Sequence, residues 1–148
     1  MARTLAEAYR QQKNAPDAIT VELANIAYSF LRDLDAIETR NKELLVEMDA
    51  LESQGLIYAT EYWRPDVAGN SKYLYLHYPQ RGPQRNRQYV GADPAKIAEA
   101  QAGIARAKAY DKLASEQAGI KKRVNDAHLH MGLASGALSD KPRLYRGW

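Results

Sequence analysis

The chain has no cysteine, a single phenylalanine and six prolines. Without cysteine there is no disulfide, no thiol nucleophile and no zinc site built on thiolates. Such a composition suits a reducing compartment, and the cytoplasm is the expected location. No apolar run approaches the roughly 20 residues of a membrane-spanning helix. The opening residues, MARTLAEAYRQQK, lack the apolar centre of a signal peptide. No membrane association is expected.

The motifs of common catalytic sites are missing too. There is no P-loop, no GxGxxG, no HExxH and no GxSxG nucleophile elbow. The three histidines are His77, His128 and His130. The last two are two residues apart and diverge on a helix. The sequence therefore reads as non-enzymatic, with no metal and no cofactor.

What is abundant is tyrosine: ten, against that one phenylalanine. Tyr packs like other aromatics but also seeks a partner for its hydroxyl. The 148 residues suffice for one domain or two small ones. The net charge of +3 hides an asymmetry. Residues 1–60 carry 6 Lys/Arg and 10 Asp/Glu, whereas residues 61–148 carry 15 and 8. Such an asymmetry can steer an acidic partner to one end of the molecule, and it can equally arise from self-complementary packing between subunits.

Periodicity places the elements. Residues 5–12 form a short helical candidate before Asn14-Ala15-Pro16. A long helix is expected over residues 20–53, with Thr20 or Asp17 as its cap and Glu22 in its first turn. Its apolar positions are Leu23, Ile26, Phe30, Leu34, Ile37, Leu44, Met48 and Leu51. They alternate by three and four over four heptads, with Asn41 in the polar gap. A break near Asp33-Leu34-Asp35 would make it two helices, and Gly55 is the expected stop. Residues 56–63, 72–78 and 87–90 alternate with period two and predict three strands of an antiparallel sheet. Asp93-Pro94 opens a second helix, an N-cap followed by proline. Its stripe of Ile97, Ile104, Leu113, Ile120 and Val124 carries it into the 121–124 region. The expected class is α+β: long amphipathic helices with a small three-stranded antiparallel sheet. Residues 1–131 are expected to form one domain. Residues 132–148 are expected to form an irregular tail tied down by Leu144, Tyr145 and Trp148.

The stretch 72–89, KYLYLHYPQRGPQRNRQY, contains no acid. It interleaves Lys72, Arg81, Arg85 and Arg87 with Tyr73, Tyr75, Tyr78 and Tyr89. Cations neutralise phosphates and aromatic rings stack on bases. Candidate contacts to nucleic acid are therefore Lys72, Arg81, Arg85, Arg87, Tyr78 and Tyr89. The run Lys121-Lys122-Arg123 joins them if folding brings it near. Tyr73 and Tyr75 read first as strand packing.

Two resemblances bear on this reading. The segment LLVEMDALESQGLIYATEYWRPDVAGNSKYLYLHY resembles the end of a winged helix-turn-helix domain, making the fold a winged-helix variant. By that likeness residues 41–53 match the recognition helix, Gly55-Leu56-Ile57 the turn into the first wing strand, and residues 65–72 the wing. The stretch KYLYLHYPQRGPQRNRQYVG with its proline-started helix is similar to Tyr/Arg-rich hairpins of small bacterial, phage or mobile-element proteins. The expected function is DNA or other nucleic-acid binding in a regulatory role. The alternative is a phage or mobile-element inhibitor of a nucleic-acid-processing protein. That inhibitor would imitate phosphates with an acidic interface of Glu43, Glu47 and Glu52. A homodimer through the long helix is a further expectation.

Overall fold

The computed structural model describes residues 18–80, 82–83 and 86–139. The helical candidate at residues 5–12 and the proposed anchors Leu144, Tyr145 and Trp148 lie outside them. The architecture is α+β. Helix α1 (Ala18–Ser53) is followed by strands β1 (Thr60–Pro65), β2 (Ser71–His77) and β3 (Arg87–Gly91), and then by helix α2 (Pro94–Leu138). The strands form one antiparallel sheet in the order β1-β2-β3. By its internal contacts the chain divides into two compact units, Met1–Glu43 and Leu44–Trp148. The sheet and α2 belong to the second.

Helix α1 runs through Asp33-Leu34-Asp35 without a break. It begins at Ala18, so Thr20 lies within it rather than capping it, and its first turn holds no acid. Residues 41–53, matched above to a recognition helix, are its closing stretch. The apolar stripe is buried unevenly. Leu44 and Met48 are buried, whereas Leu23 and Ile26 are about half exposed, at 45 % and 52 %. Gly55 ends the helical path: its φ of 89° is a left-handed conformation, and its N–H donates to the Glu52 carbonyl at 3.0 Å.

The first strand is shorter than its alternation implied. Pairing starts at Thr60, opposite His77, the last residue of β2. Residues 56–59 therefore have no strand to pair with and lie along α2 instead. The Ile57 N–H donates to the Gly103 carbonyl at 3.1 Å, and Arg106 Nε donates to the Gly55 carbonyl at 2.8 Å. The same guanidinium reaches Glu99 at 2.6 Å. The β1–β2 turn is closed by Asp66, whose carboxylate accepts from the N–H groups of Ala68 and Asn70, both at 2.9 Å.

Helix α2 begins as its sequence demands. Asp93 is extended, its side chain accepts from the Ala95 N–H at 3.1 Å, and Pro94 occupies the first turn. Asp93→Ala should destabilise the fold by about 0.5–2 kcal/mol, while Asp93→Asn should be near neutral. Thermal denaturation followed at 222 nm checks both. The helix passes through Gly103, Gly119 and Gly132 to Leu138. Residues 132–138, expected as irregular tail, are thus helical. Each glycine costs about 1 kcal/mol against alanine, but the flanks are rich in alanine and no proline intervenes before Pro142.

The core lies between α2 and one face of the sheet. Leu74, Leu76 and Ala100 are its buried centre, and Ile57, Ala59, Trp63, Tyr78, Val90, Ile97 and Ile104 pack around them. The contribution of α2 is mostly small: Ala100, Gly103 and Ala107 are buried at spacings of three and four. Only small residues there let the sheet and the 55–59 segment approach the helix axis.

Candidate functional site

A strand's side chains alternate between faces, and residues paired directly across an antiparallel ladder share a face. The register therefore assigns each one. Glu61, Trp63, Leu74, Leu76, Gln88 and Val90 lie on the α2 side. The other face carries three cross-strand rows. Arg64 pairs with Tyr73; Tyr62 with Tyr75 and Tyr75 with Tyr89; Thr60 with His77 and His77 with Arg87. No Asp or Glu stands on this face of the three strands.

The rings on the open face touch one another. Tyr62 is stacked on His77, with centroids 4.9 Å apart and planes at 15°. It meets Tyr75 edge-on at 6.4 Å, and Tyr75 meets Tyr89 at 5.0 Å with a tilt of 52°. The central strand's rings are half-buried under the outer two. Tyr62 and Tyr89 remain 49 % and 58 % exposed. His77 Nε2 is buried and has no hydrogen-bond partner among the described residues.

The cations stand at the ends of this aromatic row. Arg64 and Arg87 are exposed, and neither forms an ion pair with a described residue. Lys72 Nζ sits 5.7 Å from the Tyr73 ring centroid. An open groove of about 590 Å³ runs between the β1–β2 turn and the rings, lined by Arg64, Lys72, Tyr73, Tyr75 and Tyr89 among others. Asp66 also borders it, but its carboxylate is held by the turn's own N–H groups.

The expected site residues separate accordingly. Arg87 and Tyr89 stand on the open face, and Lys72, left unpaired by the register shift opposite Arg64 and Pro65, lies beside Tyr73 in the groove at its other end. Tyr78 does not join them. Two residues beyond Leu76, it takes the α2 side, packs on the core, and its hydroxyl donates to Gln88 at 2.8 Å. Arg81 and Arg85 lie outside the described residues. Lys121, Lys122 and Arg123 are exposed, but Lys121 lies about 15 Å along the same helix beyond Asp111, which lines the hollow beside Thr60 and His77. Lys122 pairs with Asp126 at 3.3 Å. The acidic set is divided: Glu43 and Glu47 project about 40° apart around α1, and Glu52 stands away from both. Glu47 and Glu52 project about 140° apart around α1 at 100° per residue, and Glu43 pairs with Arg40 at 3.4 Å.

Six residues of the face, Thr60, Tyr62, Arg64, Tyr73, Tyr75 and His77, were not among the expected contacts. Their signal was the period-two alternation itself, which grouped Tyr73 with Tyr75 and His77. It lacked the register that sets Tyr62 and Tyr89 beside them.

On the α2 side, a hollow of about 380 Å³ opens between residues 57–60, residues 77–79 and α2. The Tyr58 hydroxyl closes one edge by donating to Asp111 at 2.8 Å. That bond to a carboxylate holds the phenol's pKa above its usual value. Among the described residues, no group of three or more His, Asp or Glu could hold a metal ion, and no helix is long and apolar enough to cross a membrane. No family model, no curated protein and no solved structure matches the chain.

Proposed function

We propose that the protein is a non-enzymatic, regulatory nucleic-acid-binding protein that engages its target through the open face of the sheet. One observation carries this reading. The face joins exposed tyrosines to the Arg64 and Arg87 guanidiniums with no acid among them. Guanidiniums bind phosphate oxygens bidentately, and no carboxylate stands among the strand residues of the face to repel the backbone, Asp66 lying at the rim of the groove. Arg81 and Arg85 extend the same acid-free stretch of sequence.

Fluorescence anisotropy of labelled oligonucleotides across a salt titration tests this. Affinity should fall linearly on a log–log plot, by about 0.7–0.9 in slope for each phosphate contacted. Arg64→Ala combined with Arg87→Ala should flatten the slope by about two contacts' worth. Charge reversal of Arg81, Arg85 and Arg87 together should abolish binding. Absent or salt-independent binding by the unaltered chain overturns the proposal.

A further inference from the structure

We infer that the nucleic acid recognised is an unpaired strand, with bases stacking on Tyr62 and Tyr89. This deepens the nucleic-acid reading and rests on it. The argument starts from where the two kinds of side chain stand. Rings occupy the middle of the open face and cations its ends.

A duplex keeps the faces of its bases inside the stack and offers only edges to a groove. Those edges are read by hydrogen-bonding side chains such as Arg, Asn and Gln. The central row here, Tyr62-Tyr75-Tyr89, is aromatic throughout. An unpaired strand exposes the base faces, which such rings can cover whatever the base.

The packing also orients the rings in advance. Tyr62 rests on His77, and Tyr89 leans on Tyr75. Each outer ring is thus supported from beneath while half its surface stays open. Little side-chain freedom remains to be lost when a base arrives. The two outer strands are about 10 Å apart across β2, so one base can lie on each outer ring without contesting its place. The Arg64–Tyr73 and His77–Arg87 rows are four residues apart along β2, roughly 13 Å. A short strand crossing the row therefore meets a guanidinium at either end for its phosphates. Lys72 and the groove beside the β1–β2 turn extend that path at the Arg64 end.

The test measures anisotropy on the full chain at one salt concentration with three probes: oligothymidylate, oligouridylate and a blunt duplex of equal length. At least one single strand should bind ten-fold or more tightly than the duplex, and the two single strands separate a DNA from an RNA target. Tyr62→Ala and Tyr89→Ala should each weaken single-strand binding roughly 5- to 100-fold without changing the salt slope. Tyr62→Phe and Tyr89→Phe keep a ring and should bind nearly as the unaltered chain does. A melting curve on each variant shows that the fold is retained. Duplex binding equal to or tighter than single-strand binding overturns the inference and leaves the nucleic-acid reading standing. So does unaltered affinity in both alanine variants. Binding to no probe overturns both.

Discussion

Leu74→Ala is expected to destabilise the sheet unit by about 2–5 kcal/mol. Leu74 is fully buried, at the centre of the cluster between β2 and α2. Truncation removes its transfer free energy and leaves a cavity. Ala100 opposite is already small and attached to a long helix, so the walls have little with which to close the gap. For a chain of this size the loss corresponds to a fall in Tm of roughly 2–4 °C per kcal/mol. Trp63 packs on the same cluster and is a local reporter, once Trp148 is replaced by Phe to clear the background. Urea unfolding followed by that fluorescence should show a lower midpoint with an unchanged m value. Tyr73→Ala, half-buried on the opposite face of the same strand, should cost distinctly less. Equal losses at the two positions would mean that the α2 side of the sheet is not its core.

The second large effect is expected at a glycine. A Cβ on Gly103 would stand 2.5 Å from Ile57 Cδ1, 2.7 Å from Cγ1 and 3.2 Å from Cβ. The outer methyl can rotate away, but the atoms nearer the backbone are held by the Ile57 N–H bond to the Gly103 carbonyl. Overpacking of this kind costs about 1–3 kcal/mol. Against it stands the roughly 1 kcal/mol that alanine gains over glycine inside a helix. Gly103→Ala should therefore be neutral to destabilising, and Gly103→Leu destabilising by several kcal/mol. A Cβ on Gly119 in the same helix would meet nothing within 4 Å among the described residues. Gly119→Ala should raise stability by up to about 1 kcal/mol. Ile57→Ala is itself destabilising, because Ile57 packs on the core, but in that background Gly103→Ala should cost less than it does in the unaltered chain. Thermal melts of the two alanine variants and the double variant test it; identical shifts at Gly103 and Gly119 would refute close packing of residues 55–59 on the helix.

These two positions show how unevenly the fold is written into the chain. The helices and strands were legible because their signals are local. Asp93-Pro94 can scarcely do anything but start a helix, and the alternation over 72–78 places Leu74 and Leu76 on one face by period alone. The small stripe Ala100-Gly103-Ala107 was not legible as core. Apolar patterning looks for large side chains, and a helix that must come close to its neighbour selects small ones. By local propensity a glycine is a weak point in a helix, yet Gly103 is where another segment packs against α2.

The candidate site divides in the same way. Its ingredients are local: tyrosines, arginines and an absence of acid over residues 67–92. Its membership is not. Tyr78 and Tyr89 look equivalent as members of one hairpin, yet they stand on opposite faces, because Tyr78 shares parity with Leu76 while Tyr89 pairs with Tyr75. Tyr62 lies outside the basic stretch altogether and reaches the rings only through the β1–β2 register. Lys121-Lys122-Arg123 belongs to the same charge excess in composition, but a rigid helix rising 1.5 Å per residue carries it away from the sheet. By itself, then, the sequence determined the element types, the buried face of β2 and the chemistry available, because each follows from spacing and side-chain type. The tertiary structure decided which rings share a surface and which cations stand beside them, because strand register and helix length act between residues that no local pattern connects.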